Sequence, residues 1–122
     1  MSVSAKEMAL VDAATDLIRR RGTAHSHAAA VLCADGQMYL GVNLYHFSGG
    51  PCAEVVALGR MLTDTEWPPI VVVAVGRDGR GVVTPCGVCR QILYDRWPDI
   101  ALVISRGGDL VRVALTELLP EP

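Results

Sequence analysis

The chain has 122 residues, 51% of them hydrophobic and 20% charged, which fits one compact domain over residues 1–122 with a single core. Its formal net charge of −2 provides no basic field for a phosphate backbone, so long nucleic acid is excluded as a partner. No apolar run reaches the roughly 18 residues of a membrane span, and no basic segment followed by an apolar core opens the chain, so a cytoplasmic protein is expected.

The first predicted element is an amphipathic helix that gathers Leu10, Ala13, Ala14, Leu17 and Ile18 on one face. Ser4 and Glu7 have capping-box spacing at its start, and Arg19, Arg20 and Arg21 complement the dipole at its end before Gly22. Apolar-rich runs at 27–32 and 37–42 flank Ala34-Asp35-Gly36, a hairpin signal that predicts two antiparallel strands. Cys33 ends the first of them and reads as a small buried hydrophobe.

The loop over 44–50 collects His46, two aromatic residues and two glycines, a mixture common on binding surfaces. Pro51 suits the first position of a helix and places Cys52 in the first turn, where the dipole lowers a thiol pKa. Residues 55–62 are apolar on nearly all sides and predict a buried helix, which Trp67-Pro68-Pro69 breaks. The β-branched run at 70–75 then predicts a strand covered on both faces, at the centre of a sheet.

A polar turn at 77–81 and the lead-in Val82-Val83-Thr84 bring the chain to Pro85, which opens another helix with Cys86 and Cys89 at its beginning. Their i to i+3 spacing puts both sulfurs on one side of the first turn. This helix stops near Trp97-Pro98; strands at 100–104 and 110–113 follow, and 115–119 forms at most a short closing helix. The expected fold is therefore an α/β, three-layer α-β-α sandwich with a mixed sheet of about five strands.

Cys52, Cys86 and Cys89 can supply three thiolates to one zinc ion and leave its fourth position open, which describes a catalytic site. Cys52-Ala53-Glu54 followed by Pro85-Cys86-Gly87-Val88-Cys89 matches the ligand-x-Glu and Pro-Cys-x-x-Cys pattern of the zinc deaminases. Two residues after a ligand, Glu54 suits a general base that takes a proton from the attacking water and returns it to substrate. Burial beside an anionic cluster would raise its pKa, as such a shuttle needs. Arg90, next to Cys89, is either a cationic donor to the thiolate sulfurs or a solvated helix charge.

The stretch from Gly41-Val42-Asn43-Leu44-Tyr45-His46-Phe47-Ser48-Gly49-Gly50 through Glu54, with Thr84-Pro85-Cys86-Gly87-Val88-Cys89-Arg90-Gln91-Ile92-Leu93, resembles the cytidine deaminase family, and more closely its blasticidin-S deaminase branch. That resemblance implies hydrolytic deamination of a cytosine-type nucleoside or related amino heterocycle, with Cys52, Cys86 and Cys89 as Zn2+ ligands and Glu54 as the proton shuttle. It implies sugar contact by Asn43, a backbone N–H of Ala53 donating to the pyrimidine carbonyl, pocket positions for Ser26 and Tyr45, and a homotetramer. Tyr45 stands where cytidine deaminases carry a glutamate, and His25 replaces a flanking aromatic. Val88 and Val55 occupy positions where one or other branch carries an arginine, which favours Arg90 as the compensating charge.

Two other uses of the cysteines remain. A structural zinc module would close the site with Cys33 or His46, although only one close-spaced ligand couple exists. A redox pair formed by Cys86 and Cys89 would leave Cys52 and Glu54 without a role.

Overall fold

The computed structural model describes residues 2–44 and 50–118. Helix α1 (Ala5–Arg21) begins with the expected capping box: Glu7 N–H donates to Ser4 Oγ at 3.2 Å, and Ser4 N–H donates to Glu7 Oε1 at 2.8 Å. The other Glu7 oxygen lies 3.0 Å from Arg112 Nε, so this buried carboxylate has a cationic neighbour as well as a backbone donor.

Strands β1 (His27–Cys33) and β2 (Met38–Val42) form the expected hairpin. Gly36 takes φ +88° in its turn, a conformation open to glycine without a Cβ clash. Helix α2 (Ala53–Asp64) leads to β3 (Pro69–Gly76), and β4 (Gly81–Val83) folds back on the end of β3. Helix α3 (Gly87–Arg96), β5 (Ala101–Arg106), β6 (Asp109–Ala114) and a 3₁₀ turn at Leu115–Glu117 complete the described order.

The sheet order is β2-β1-β3-β5-β6, with β4 paired to β3 beside β5. Five strands thus form the main path, and Val82-Val83, expected only as a lead-in, contribute a short sixth. β1 is antiparallel to both β2 and β3, while β3 and β5 are parallel, so the sheet is mixed. Alternation along the strands creates two cores. Ala28, Ala30, Val71, Val73, Val75 and Val103 face α1; Ala29, Val31, Val72, Leu102 and Ile104 belong to the layer of α2 and α3. The sandwich has the three expected layers.

Because β2 and β3 are both antiparallel to β1, their C-terminal ends lie at one edge of the sheet, together with the start of β1. Chain leaving β2 enters α2; β4 starts at that edge, with Gly81 opposite Gly76, and runs back only three residues before the chain enters α3, so both helices begin near it. Gly41 sets how closely α2 approaches β2: a Cβ there would stand 2.5 Å from Ala57 N and 2.9 Å from Ala53 O. Those atoms are helix backbone, which cannot turn aside as a side chain can. Gly41→Ala should therefore lower stability by about 1–3 kcal/mol, the usual range for overpacking. Urea unfolding of the metal-free protein checks this, and an unchanged midpoint would refute the tight approach.

Candidate metal centre and its cleft

The two cysteine motifs are built alike. Each has a proline, then a cysteine in extended conformation as the helix N-cap: Cys52 at φ −66°, ψ 160° for α2, and Cys86 at φ −67°, ψ 166° for α3. Their carbonyls accept the first helical bonds, from Val56 N at 3.1 Å and Arg90 N at 2.9 Å. Pro51 was expected at the first helical position with Cys52 inside the first turn; instead Ala53 is the first helical residue, Cys52 is the cap and Pro51 precedes it. Cys89 lies within the first turn of α3, 1% exposed.

This geometry brings the three sulfurs within 4.8 Å of one another, with Cys52 Sγ and Cys86 Sγ 3.7 Å apart. Zinc–sulfur bonds of about 2.3 Å in a tetrahedron require sulfurs about 3.8 Å apart, so the donor set fits such an ion. It is the only grouping of three or more potential ligands found among the described residues. Cys33 takes no part: it is buried at the far end of β1, with Sγ 3.4 Å from the Trp67 carbonyl. His46 lies outside the described residues. Convergence of Cys52 with Cys86 and Cys89 also argues against an isolated redox pair.

Protonation differs among the thiols. Burial, reinforced by the contact with Cys86, pushes the Cys52 thiol above its ordinary value, contrary to the lowering expected from the helix dipole. Burial alone would also raise Cys86, but backbone N–H groups of Cys89 and Val88, with the neighbouring sulfurs, outweigh it and hold Cys86 below the usual range. Burial and its contact with Cys52 push Cys89 far upward. A cation drawing out all three protons would relieve this mutual competition for them.

Glu54, the second residue of α2, is 5% exposed. Burial raises its carboxyl pKa against a smaller opposing effect of its own backbone N–H. Together with Ser26, His27, Asn43, Pro51, Cys52, Ala53, Thr84 and Cys86, it lines a cleft of about 280 Å³. The Ala53 backbone N–H belongs to the first turn of α2, where donors have no partner within the helix.

Asn43, just beyond β2, is held by five hydrogen bonds, four of them to Ser26 and His27. Its Oδ1 accepts from Ser26 N at 3.0 Å and His27 N at 3.1 Å; its Nδ2 donates to Ser26 Oγ at 3.0 Å, and its N–H donates to His27 O at 3.3 Å. His25 stands behind it, with Nδ1 2.7 Å from the Asn43 carbonyl, and is not among the cleft-lining residues. His27 lines the cleft instead, a role not recognised in the sequence, where its position opening a strand was the only signal. Tyr45 lies outside the described residues.

Arg90 does not serve the sulfurs. Its Nε donates to the Pro85 carbonyl at 2.9 Å and its terminal nitrogen donates to the Leu118 carbonyl at 2.8 Å. The guanidinium fork therefore binds the segment before Cys86 to the end of the described chain. The positive groups that the described structure does set at the sulfurs are the N-terminal ends of α2 and α3, capped by Cys52 and Cys86.

These features have close counterparts. Bacillus cereus blasticidin-S deaminase is 30% identical over 131 aligned residues, spanning 98% of this chain and 93% of that protein. Cytidine deaminase of Halalkalibacterium halodurans is 34% identical over 96 residues, spanning 75% of this chain and 72% of that one.

The chain belongs to the cytidine deaminase family.

The crystal structure of cytidine deaminase from Bacillus anthracis agrees, with a TM-score of 0.81 at 26% identity over 95% of this chain and 88% of that one. No family model matches the sequence. As a member of this family, the protein is a hydrolytic deaminase acting on C–N bonds in cyclic amidines.

Removing Arg90 separates its observed contacts from the sulfur-directed role. Arg90→Ala should destabilise the metal-free protein by about 2 kcal/mol, as expected for losing charge-assisted bonds from a half-buried site. Denaturant unfolding without metal measures this directly. Unchanged stability with weakened metal binding would instead assign Arg90 to the sulfurs.

Proposed function

We propose that this protein is a zinc-dependent hydrolytic deaminase of a cytosine-type nucleoside, either cytidine or a blasticidin-S-like compound. The observation that carries this reading is the buried Glu54 carboxyl in the same cleft as Cys52 and Cys86, two residues beyond the first of these cysteines. Bound by Cys52, Cys86 and Cys89, zinc would supply the Lewis acidity that makes water a nucleophile near neutral pH.

The chain supplies the rest of the chemistry. Glu54 takes a proton from the attacking water and gives it to the ring nitrogen beside the amine-bearing carbon. A second proton passes through Glu54 to the departing amine, giving a carbonyl and ammonia. Its raised pKa matches a group that must hold a proton between two transfers. The Ala53 N–H donates to the pyrimidine carbonyl, which fixes the ring relative to Glu54. Both donors to Asn43 Oδ1 come from the backbone and one Nδ2 hydrogen goes to Ser26, so the other Nδ2 hydrogen is left for the sugar or sugar-like part.

A homotetramer is part of the proposal. Between α2 and α3 on the outer layer lies an apolar groove lined by Val55, Leu58, Leu62, Ile92 and Trp97. Leu62 is 44% exposed and Ile92 37%, a surface that subunit contact would cover. A cytoplasmic location agrees with the need to keep three ligand thiols reduced.

Ammonia release measured across cytidine, deoxycytidine, blasticidin S and free cytosine tests the reaction and identifies its substrate. Release from a nucleoside is expected; stoichiometric zinc with no release from any compound would favour a structural zinc module. Glu54→Gln should retain one zinc per chain while deamination falls by about 10²–10⁴-fold, the usual contribution of general acid–base catalysis. Metal analysis beside the ammonia assay separates loss of the proton carrier from loss of the metal.

A further inference from the structure

His27 and Arg80 form part of a hydrogen-bonded chain that ends in the cleft. Arg80 reaches over the start of β1, with a terminal guanidinium nitrogen 3.1 Å from His27 Nε2. An arginine can only donate, so His27 Nε2 must accept and cannot carry the ring proton. Burial, followed by the positive charges of Arg80 and Arg77, lowers the His27 pKa and favours this neutral ring. The proton therefore resides on Nδ1, which lies 2.8 Å from Ser26 Oγ and donates to it.

The same hydroxyl oxygen accepts a second bond from Asn43 Nδ2 at 3.0 Å. The Asn43 amide orientation is determined by its Oδ1, which accepts from two backbone N–H groups. Ser26 Oγ has two acceptor sites and one hydrogen. Both acceptor sites are occupied, so its hydrogen is left to donate, and Ser26 lines the cleft.

We infer that His27 is a positioning residue whose Arg80-imposed tautomer commits the Ser26 hydroxyl to act as a donor to an acceptor oxygen of the substrate. This deepens the proposed function, on which it rests, by assigning the hydrogen-bond polarity at that point of the cleft. Replacing His27 by an apolar residue vacates one acceptor site on Oγ and lets the hydroxyl turn away. Asparagine can present an amide N–H near the former Nδ1 position.

Steady-state deamination is compared for wild type, His27→Leu, His27→Asn, Ser26→Ala and the Ser26→Ala/His27→Leu double variant, using the nucleoside that wild type deaminates best. His27→Leu should raise KM about tenfold with a smaller change in kcat, the size expected for one displaced hydrogen bond. His27→Asn should recover most of that increase. Against Ser26→Ala, the leucine substitution should add less than about twofold, because His27 acts through a hydroxyl no longer present. In parallel, ¹⁵N spectra of labelled wild type should show a protonated Nδ1 and an unprotonated Nε2 on His27, a preference weakened by Arg80→Ala.

Additive penalties in the double variant, unchanged KM in His27→Leu, or a protonated Nε2 would overturn the inference. If His27→Leu does not fold, His27→Asn and the ring spectrum still test it: a large KM increase in His27→Asn or the opposite tautomer contradicts it. Failure of the underlying function has a different signature: wild type itself releases no ammonia, while the tautomer remains measurable.

Discussion

Two helix N-termini must meet at one point for this protein to assemble its site. Cys52 and Cys86 are the N-caps of α2 and α3, and Cys89 occupies the first turn of α3. An extended residue at each helix start projects its sulfur beyond the first turn, while the aligned peptide dipoles place partial positive charge behind it. Three thiolates around a divalent cation carry net negative charge. The helix ends would offset that charge, while Arg90 is committed to the Pro85 and Leu118 carbonyls. Ligand geometry and charge compensation thus have the same origin.

Convergence depends in turn on the sheet. With β1 antiparallel to both β2 and β3, one edge holds the exits of two strands and the entry of another. Gly41 allows α2 to lie against β2, and the turn into β1 brings Ser26 and His27 beside Asn43 at the end of β2. The cleft is therefore lined by Cys52, Cys86 and Glu54 from the helix starts and by the backbone-anchored cluster of Ser26, His27 and Asn43. In the proposed reaction, proton transfer would belong to the first group and substrate orientation to the second.

The legible parts of the sequence were those with local signatures. Ser4 with Glu7, the Asp-Gly turn, the β-branched centre of β3 and the two Pro-Cys motifs each combine residue type with a short spacing, and each specifies an element or cap. The three sulfurs could be grouped because zinc chemistry demands a shared point. β4 escaped notice because three residues provide little periodicity, and its partner lies across a turn. The sulfur-directed option for Arg90 rested on its adjacency to Cys89, whereas one of its acceptors lies 28 residues away. His27 was hidden for a related reason: its partner Arg80 lies 53 residues downstream.

X-ray absorption at the zinc edge of the purified protein most directly tests the claim that these two helix starts create an open catalytic centre. The account predicts three sulfur neighbours at about 2.3 Å and one lighter oxygen or nitrogen neighbour. Four sulfur neighbours would make the site closed and contradict it, while two would show that α2 and α3 do not jointly hold the ion.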